Sequence, residues 1–208
     1  WGPYLGAGLP GLWLNEGGQS ATGALLDHII REHSAGGKPN AARHAEIVSR
    51  INELRGDPDQ PFAEGLHVLP DFHGNRTPYH DPHPRGAVIG ASLEPGFDGL
   101  CKLYWRTAVG LAMGLRQILE LMQANGYAGR TLHVAGGHAA NGLLMELYTD
   151  ATGYDVVTYP ATSTQLSGMA MGAAVAAGLA PDLASAGKAM HAKGEIRHPR
   201  PNQKARYD

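Results

Sequence analysis

Cysteine is all but missing. Cys101 stands alone among 208 residues, which rules out an internal disulfide framework and suits a reducing cytosol, so a cytoplasmic setting is expected. No apolar run approaches the roughly 20 residues that a bilayer-crossing helix needs. No signal-peptide pattern opens the chain, and no membrane partner is expected. There is no excess of positive charge either: 17 Lys and Arg stand against 19 Asp and Glu without a basic stripe, which speaks against nucleic acid. An initiating methionine is also lacking. The chain begins at Trp1 in a turn-rich run (Gly2-Pro3, Gly6, Gly8, Pro10-Gly11) and reads as a piece of something longer.

Turn formers, by contrast, are plentiful. With 29 glycines, 14 prolines and 43% hydrophobic residues, the composition is that of a globular chain able to bury one real core. The organising stretch runs from Thr131 to Tyr148. A short apolar run (Leu132, Val134, Ala135) ends at Gly136 and Gly137, and apolar residues then recur at helical spacing (Leu143, Leu144, Leu147, Tyr148). This predicts a strand, a tight turn and a helix. Glycines with no Cβ would let a flat or charged ligand lie on the backbone, and Asn141 stands at the expected N-cap, free to hold helical N–H groups or to meet a ligand. The third glycine of the dinucleotide fingerprint is absent. On spacing alone, a plain β-turn-α connection and a ligand crevice both remain open.

A similar junction comes earlier. Gly11 to Leu14 is a strand candidate, and after Gly17 and Gly18 a helix with apolar positions Leu25, Leu26, Ile29 and Ile30 runs to Gly36. Asn40 caps a second helix that ends at Gly56, so residues 20–56 read as a helical insertion closed by the 57–61 loop. Strands are expected at 65–70 and 87–90, with the longest helix at 98–125. A further strand is expected at 155–157, followed by a small-residue helix at 168–177 that could press close to a neighbour, and a last helix from Asp182. The alternation in the back half implies βαβ crossovers and a parallel sheet segment. The tail beyond Ala192 is polar and expected to fray.

The chemical candidates are few. Asp71, His73, His80, Asp81 and His83 form a histidine-rich loop, but prolines (Pro78, Pro82, Pro84) break it up and no helical metal pair fits, so it reads as a solvated loop whose Arg76 makes an ion pair. Cys101 reads as a core residue, His133 as packed, and Tyr104 and Trp105 as packing residues of the long helix.

Taken together, several runs resemble the FGGY family of carbohydrate kinases. They are Trp1-Gly2-Pro3-Tyr4, Pro10-Gly11-Leu12-Trp13-Leu14-Asn15-Glu16-Gly17-Gly18-Gln19-Ser20, Pro70-Asp71-Phe72-His73-Gly74-Asn75-Arg76-Thr77-Pro78, and Gly136-Gly137 to Asn141 with Gly168 and Gly172-Ala173-Ala174. The pentulose kinase branch, D-ribulokinase-like, is the nearest in its Glu-Gly-Gly-Gln-Ser and His-Gly-Asn-Arg runs. The resemblance covers the C-terminal domain only, residues 1–195, with 196–208 as a tail. It implies an α/β domain of the actin-like, ribonuclease H-like class: a mixed sheet flanked by helices, one of two lobes enclosing ATP. It also implies ATP with Mg²⁺ as cofactors and a small sugar as substrate. Carried over, Gly137 and Asn141 would contact adenosine, Gly136 beside them would leave the backbone bare, and Gly23 and Asp27 would face the nucleotide. Other members often carry glutamine at the Asp27 position, and a glutamate near Ser163 that is absent here. The family's catalytic aspartate and phosphate-holding turn would lie upstream of Trp1, in a missing N-terminal lobe. This chain would then be inactive alone, and its exposed sheet edge could support a homo-oligomer. A kinase for another sugar or polyol, and a non-catalytic actin-like nucleotide-binding module, are the alternatives.

Overall fold

A computed structural model describes residues 3–207 apart from 59, 128, 160–162 and 202. Trp1 and Gly2 of the opening run, and Asp59 of the 57–61 loop, lie outside the described residues. The spine is α3 (Gly96–Ala124), 29 residues and so about 43 Å long. Leu100, Tyr104, Ala108, Leu111 and Ala112 recur at three- and four-residue spacing along it, and all are fully buried. The strands β3 (His67–Leu69) and β4 (Ala87–Ile89) form an antiparallel hairpin, and β3 packs on α3. Gly110 makes that approach possible, because a Cβ there would stand 2.5 Å from the Val68 carbonyl oxygen.

Two helices between the early strands supply another side of the core. α1 (Gly23–Glu32) buries Leu25, Leu26, Ile29 and Ile30, the face its apolar spacing predicts. α2 (Ala41–Arg55) begins where Asn40 Oδ1 accepts the Arg43 N–H at 2.9 Å and ends at Gly56, whose φ of +59° favours glycine. Both helices pack on α3, so the insertion expected at 20–56 is part of the core.

The back half forms the mixed sheet. β5 (Thr131–Val134) leads through a turn to α4 (Gly142–Thr152), and β6 (Asp155–Thr158) returns parallel to β5, with Leu132 opposite Val156. α5 (Thr164–Ala176) and α6 (Leu183–Met190) follow. The expected sheet is smaller than the strand count suggested. β1 (Tyr4–Leu5) pairs only with β2 (Trp13–Leu14), and β3 only with β4, among the described strands. The β3 backbone lies on the Gly110 face of α3 and not beside another strand of the sheet. The small-residue helix also departs from expectation. α5 packs on α6 but buries none of its residues, and a Cβ at Gly168 or Gly172 would meet nothing within 4 Å.

The expected frayed tail is instead docked. β7 (Glu195–Arg197) pairs antiparallel with β6, and a 3₁₀ turn spans Lys204–Tyr207. The reason lies on α4, which carries Glu146 and Asp150 four residues apart on one face, with the Asp150 side chain only 2% exposed. A buried carboxylate needs a counter-charge and donors. Arg200 provides both: its backbone N–H reaches Asp150 Oδ1 at 3.0 Å, and its guanidinium reaches Asp150 Oδ2 at 2.7 Å and Glu146 Oε1 at 2.9 Å. Arg55 adds a contact to Glu146 at 2.7 Å while its guanidinium stacks 4.2 Å over the Trp105 ring. Trp105 is therefore a platform for a buried cation as well as a packing residue. Cys101 is in the core as expected, and burial pushes its thiol up to about 11. No helix among the described residues is long and apolar enough to cross a membrane.

Removing one partner of a buried ion pair leaves the others uncompensated, so Asp150→Ala should lower unfolding free energy by about 3 kcal/mol. Urea denaturation checks this, and a loss well under 1 kcal/mol would show that the tail is dispensable.

Candidate functional site

Parallel strands followed by helices leave a crevice beyond their carboxyl ends. Here it opens above β5 and β6. After Val134 the chain passes Ala135 and reaches Gly136 at φ +89°, ψ −175°, a conformation that favours glycine. Gly137–Ala140 then makes one 3₁₀ turn before Asn141 caps α4, so the tight glycine turn expected to enter the helix directly is one turn longer. Asn141 Oδ1 accepts the N–H groups of Leu143 at 3.1 Å and Leu144 at 3.3 Å, which is the capping role its position suggested.

The crevice encloses about 460 Å³ between residues 134–137 with 139 and 140 and a second wall made by Thr158, Tyr159 and residues 163–165. Gly136 and Gly137 are both on its lining. A Cβ on Gly137 would meet nothing within 4 Å, and one on Gly136 would come only within 4.0 Å of Gln165 Nε2. No described side chain fills the notch. None of the described lining residues is charged. The arrangement suits a flat, neutral, hydrogen-bonding group. Tyr159 on the second wall is held by His133, whose Nδ1 lies 2.7 Å from the Tyr159 hydroxyl with the rings 16° from parallel. His133 is exposed, contrary to the packed role expected of it; its register partner is Val157, and its ring faces Tyr159 two residues further on. Burial lowers the proton affinity of His138, at the bottom of the turn, whose ring meets Tyr148 edge-on at 6.2 Å.

Asn141, Asp27 and Gly23 do not line this crevice. Gly23 opens α1, where Thr22 makes no side-chain capping bond, and a Cβ on Gly23 would meet nothing within 4 Å. Asp27 lies one turn further on. It is joined to Asn141 through two residues that sequence reasoning did not single out as site residues. Asp27 Oδ1 lies 2.8 Å from His44 Nε2, His44 Nδ1 lies 2.8 Å from the Tyr104 hydroxyl, and Asn141 Nδ2 donates to that hydroxyl at 2.9 Å. The structure thus links the two glycine-helix junctions. Tyr104 had read as a packing residue, and its ring is indeed fully buried. A buried tyrosine hydroxyl requires a partner, which was the available signal. Burial raises the affinity of Tyr104 for its proton, so the hydroxyl stays neutral and able to donate.

A larger cavity of about 610 Å³ lies where the 19–21 segment and the 67–79 segment meet α3. The histidine-rich loop builds one side. Asp71 accepts Asn75 Nδ2 on both oxygens at 3.2 Å, and Asn75 and Asp81 exchange backbone hydrogen bonds at 2.8 and 2.9 Å. Arg76 makes its ion pair with Glu16 at 3.1 Å, and Thr77 Oγ1 accepts the Gly18 N–H at 3.1 Å. Among the described residues no three His, Cys, Asp or Glu side chains converge on a metal position.

The model of the FGGY family of carbohydrate kinases, C-terminal domain, matches residues 1–177. The chain belongs to this family. An FGGY carbohydrate kinase domain-containing protein of Xenopus laevis is 40% identical across the whole chain, which covers 39% of that relative. A D-ribulokinase of Saccharomyces cerevisiae is 33% identical over 76% of this chain and 24% of its own length. Among solved structures, a xylulose kinase from Rhodospirillum rubrum superposes with a TM-score of 0.71 at 22% identity, over 96% of this chain and 38% of that one. The FGGY chain spans about two fifths of the length of the relatives that it matches from end to end. Its fold is that of the sugar kinases, the actin-like, ribonuclease H-like class expected.

The two crevice glycines should differ in what they tolerate. In this FGGY domain, Gly136→Ala should cost about 1–2 kcal/mol because alanine resists positive φ. Gly137→Ala, in open space within a 3₁₀ turn, should be neutral or slightly stabilising; thermal unfolding of the pair is the check, and equal effects would contradict the backbone assignment.

Proposed function

We propose that this chain is the ATP-side lobe of a cytoplasmic sugar kinase that phosphorylates a hydroxyl of a ketopentose, D-ribulose or a relative. The observation that carries the reading is the crevice over Gly136 and Gly137 at the carboxyl ends of β5 and β6 in an FGGY domain, uncharged and empty of side chains among the described residues. ATP fits this chemistry, and when bound it supplies the γ-phosphoryl group. The bare backbone admits the base, and Tyr159 with Gln165 borders it. The first N–H groups of α1, at Gly23 and Ala24, carry the positive end of the helix dipole with no side-chain cap across them, a place for phosphate oxygens. Among the described residues no three His, Cys, Asp or Glu side chains converge, which fits a Mg²⁺ held chiefly through the phosphates. The residue that accepts the sugar hydroxyl proton also belongs to the other lobe in this reading, and lobe closure would exclude water.

The ketopentose assignment is supported by the likeness to a D-ribulokinase and by how two distinctive runs meet. Glu16-Gly17-Gly18-Gln19-Ser20 and His73-Gly74-Asn75-Arg76 touch through the Arg76–Glu16 pair, and both contribute to the 610 Å³ cavity. Gln19 is fixed there by donating to the Leu111 carbonyl at 2.9 Å.

The test follows ADP release with Mg-ATP and a panel of pentuloses. The protein that carries both lobes should turn over D-ribulose or a close relative, and this chain alone should not; robust turnover by the chain alone would contradict the division of roles. Gly137→Leu should leave the thermal midpoint near that of the unaltered chain while weakening nucleotide binding at least about tenfold, since the side chain would enter the crevice. Asn141→Ala should also weaken ATP binding in the two-lobed protein.

A further inference from the structure

Three hydrogen bonds run from the N-terminus of α4 to α1, and with a neutral His44 they share one direction. Asn141 Oδ1 is taken by the Leu143 and Leu144 N–H groups, so the atom facing Tyr104 must be Nδ2, a donor. The Tyr104 oxygen therefore accepts from Asn141, and with His44 in its neutral Nε2–H tautomer the tyrosine proton goes to His44 Nδ1. That places the imidazole proton on Nε2, where it meets Asp27 Oδ1. Every donor is used in one sense along the chain. Two groups are left over at its ends. Among the described residues, the second Asn141 amide hydrogen and Asp27 Oδ2 make no further bond, and the Asp27 side chain is 44% exposed.

The geometry points to His44 and Tyr104 as positioning residues that set Asn141 and Asp27 as one donor-and-acceptor unit for the nucleoside part of a nucleotide. This rests on the nucleotide reading above. The nucleoside is favoured over the phosphates because Asp27 is an acceptor carrying negative charge. Phosphate oxygens bring no hydrogen and repel it, whereas a ribose hydroxyl or an exocyclic amine donates. The linkage spans four helices, so loss of a middle link releases both ends. A purely structural role for the Tyr104 hydroxyl would instead affect folding and leave ligand affinity untouched.

The experiment measures ADP binding to the 208-residue chain by titration calorimetry, beside thermal unfolding of each variant. Tyr104→Phe keeps the ring and removes only the hydroxyl; His44→Leu cuts the chain; His44→Gln restores one N–H and one acceptor. Tyr104→Phe and His44→Leu should each weaken ADP binding about tenfold, the scale of one lost buried hydrogen bond, with His44→Gln within about threefold of the unaltered chain. Asp27→Ala should also weaken it, and combined with Tyr104→Phe should cost little more than either alone, far short of the roughly hundredfold that independent sites would give. An Asp27→Ala penalty that disappears with 2′-deoxy-ADP or 3′-deoxy-ADP assigns the acceptor to the ribose, and one that disappears with inosine diphosphate assigns it to the amine. A penalty retained on all three overturns the nucleoside assignment. Variants that melt earlier but bind ADP like the unaltered chain overturn the positioning role, as do effects of Asp27 and Tyr104 that multiply. If neither the unaltered chain nor the protein that carries both lobes binds ADP, the nucleotide reading fails, and the positioning role fails with it.

Discussion

A tyrosine hydroxyl buried at the centre of a protein must find partners, and in this domain the choice of partners ties the helices together. Tyr104 sits in the first third of α3, on the face where α1, α2 and α4 converge. Its oxygen takes a hydrogen from Asn141 at the start of α4 and its proton goes to His44 on α2, which in turn holds Asp27 on α1. Apolar packing brings these helices into contact, but packing is tolerant of small slides. The directed hydrogen bonds are not, because a slide would orphan a buried donor at a cost of about 1–3 kcal/mol. Register between the two glycine-helix junctions is thereby set through the core and not across the surface.

α4 meets a second demand of the same kind. Its N-terminus is capped by Asn141, and one to two turns later Glu146 and Asp150 carry negative charge into a face covered by the rest of the chain. Two arginines from opposite ends of the domain, Arg55 and Arg200, converge on them. The C-terminal segment is ordered for that reason: Arg200 brings the tail back across α4 after β7 has joined the sheet beside β6. A helix so thoroughly buried is a rigid support for the turn at its N-terminus, and that turn borders the crevice.

Charge is distributed differently between the crevice and its surroundings. Over Gly136 and Gly137 the described walls are neutral and the backbone is bare, whereas the carboxylate of Asp27 and the uncapped start of α1 stand apart from it. For a kinase lobe this separation has a physical logic. A base requires shape and a few fixed hydrogen bonds, whereas phosphates require concentrated positive potential. In the proposed reading this domain meets the first requirement and contributes a helix terminus toward the second.

Local physics made much of this legible in the sequence. Apolar spacing identified the buried faces of α1 and α3, Asn40 and Asn141 announced the starts of α2 and α4, and Gly136 marked the backbone that leaves β5, because caps, periodicity and positive φ are decided within a few residues of chain. Motif resemblance carried the family for the same reason. What only the tertiary structure decided depends on residues far apart in sequence. His44 and Tyr104 became a bridge because four helices meet there, the expected frayed tail was pinned by a carboxylate 50 positions away at Asp150, and the early strands paired in two separate hairpins, the second of them packed on α3. Local propensity does not encode a partner for a buried charge or hydroxyl; that partner is chosen only when the chain closes around it.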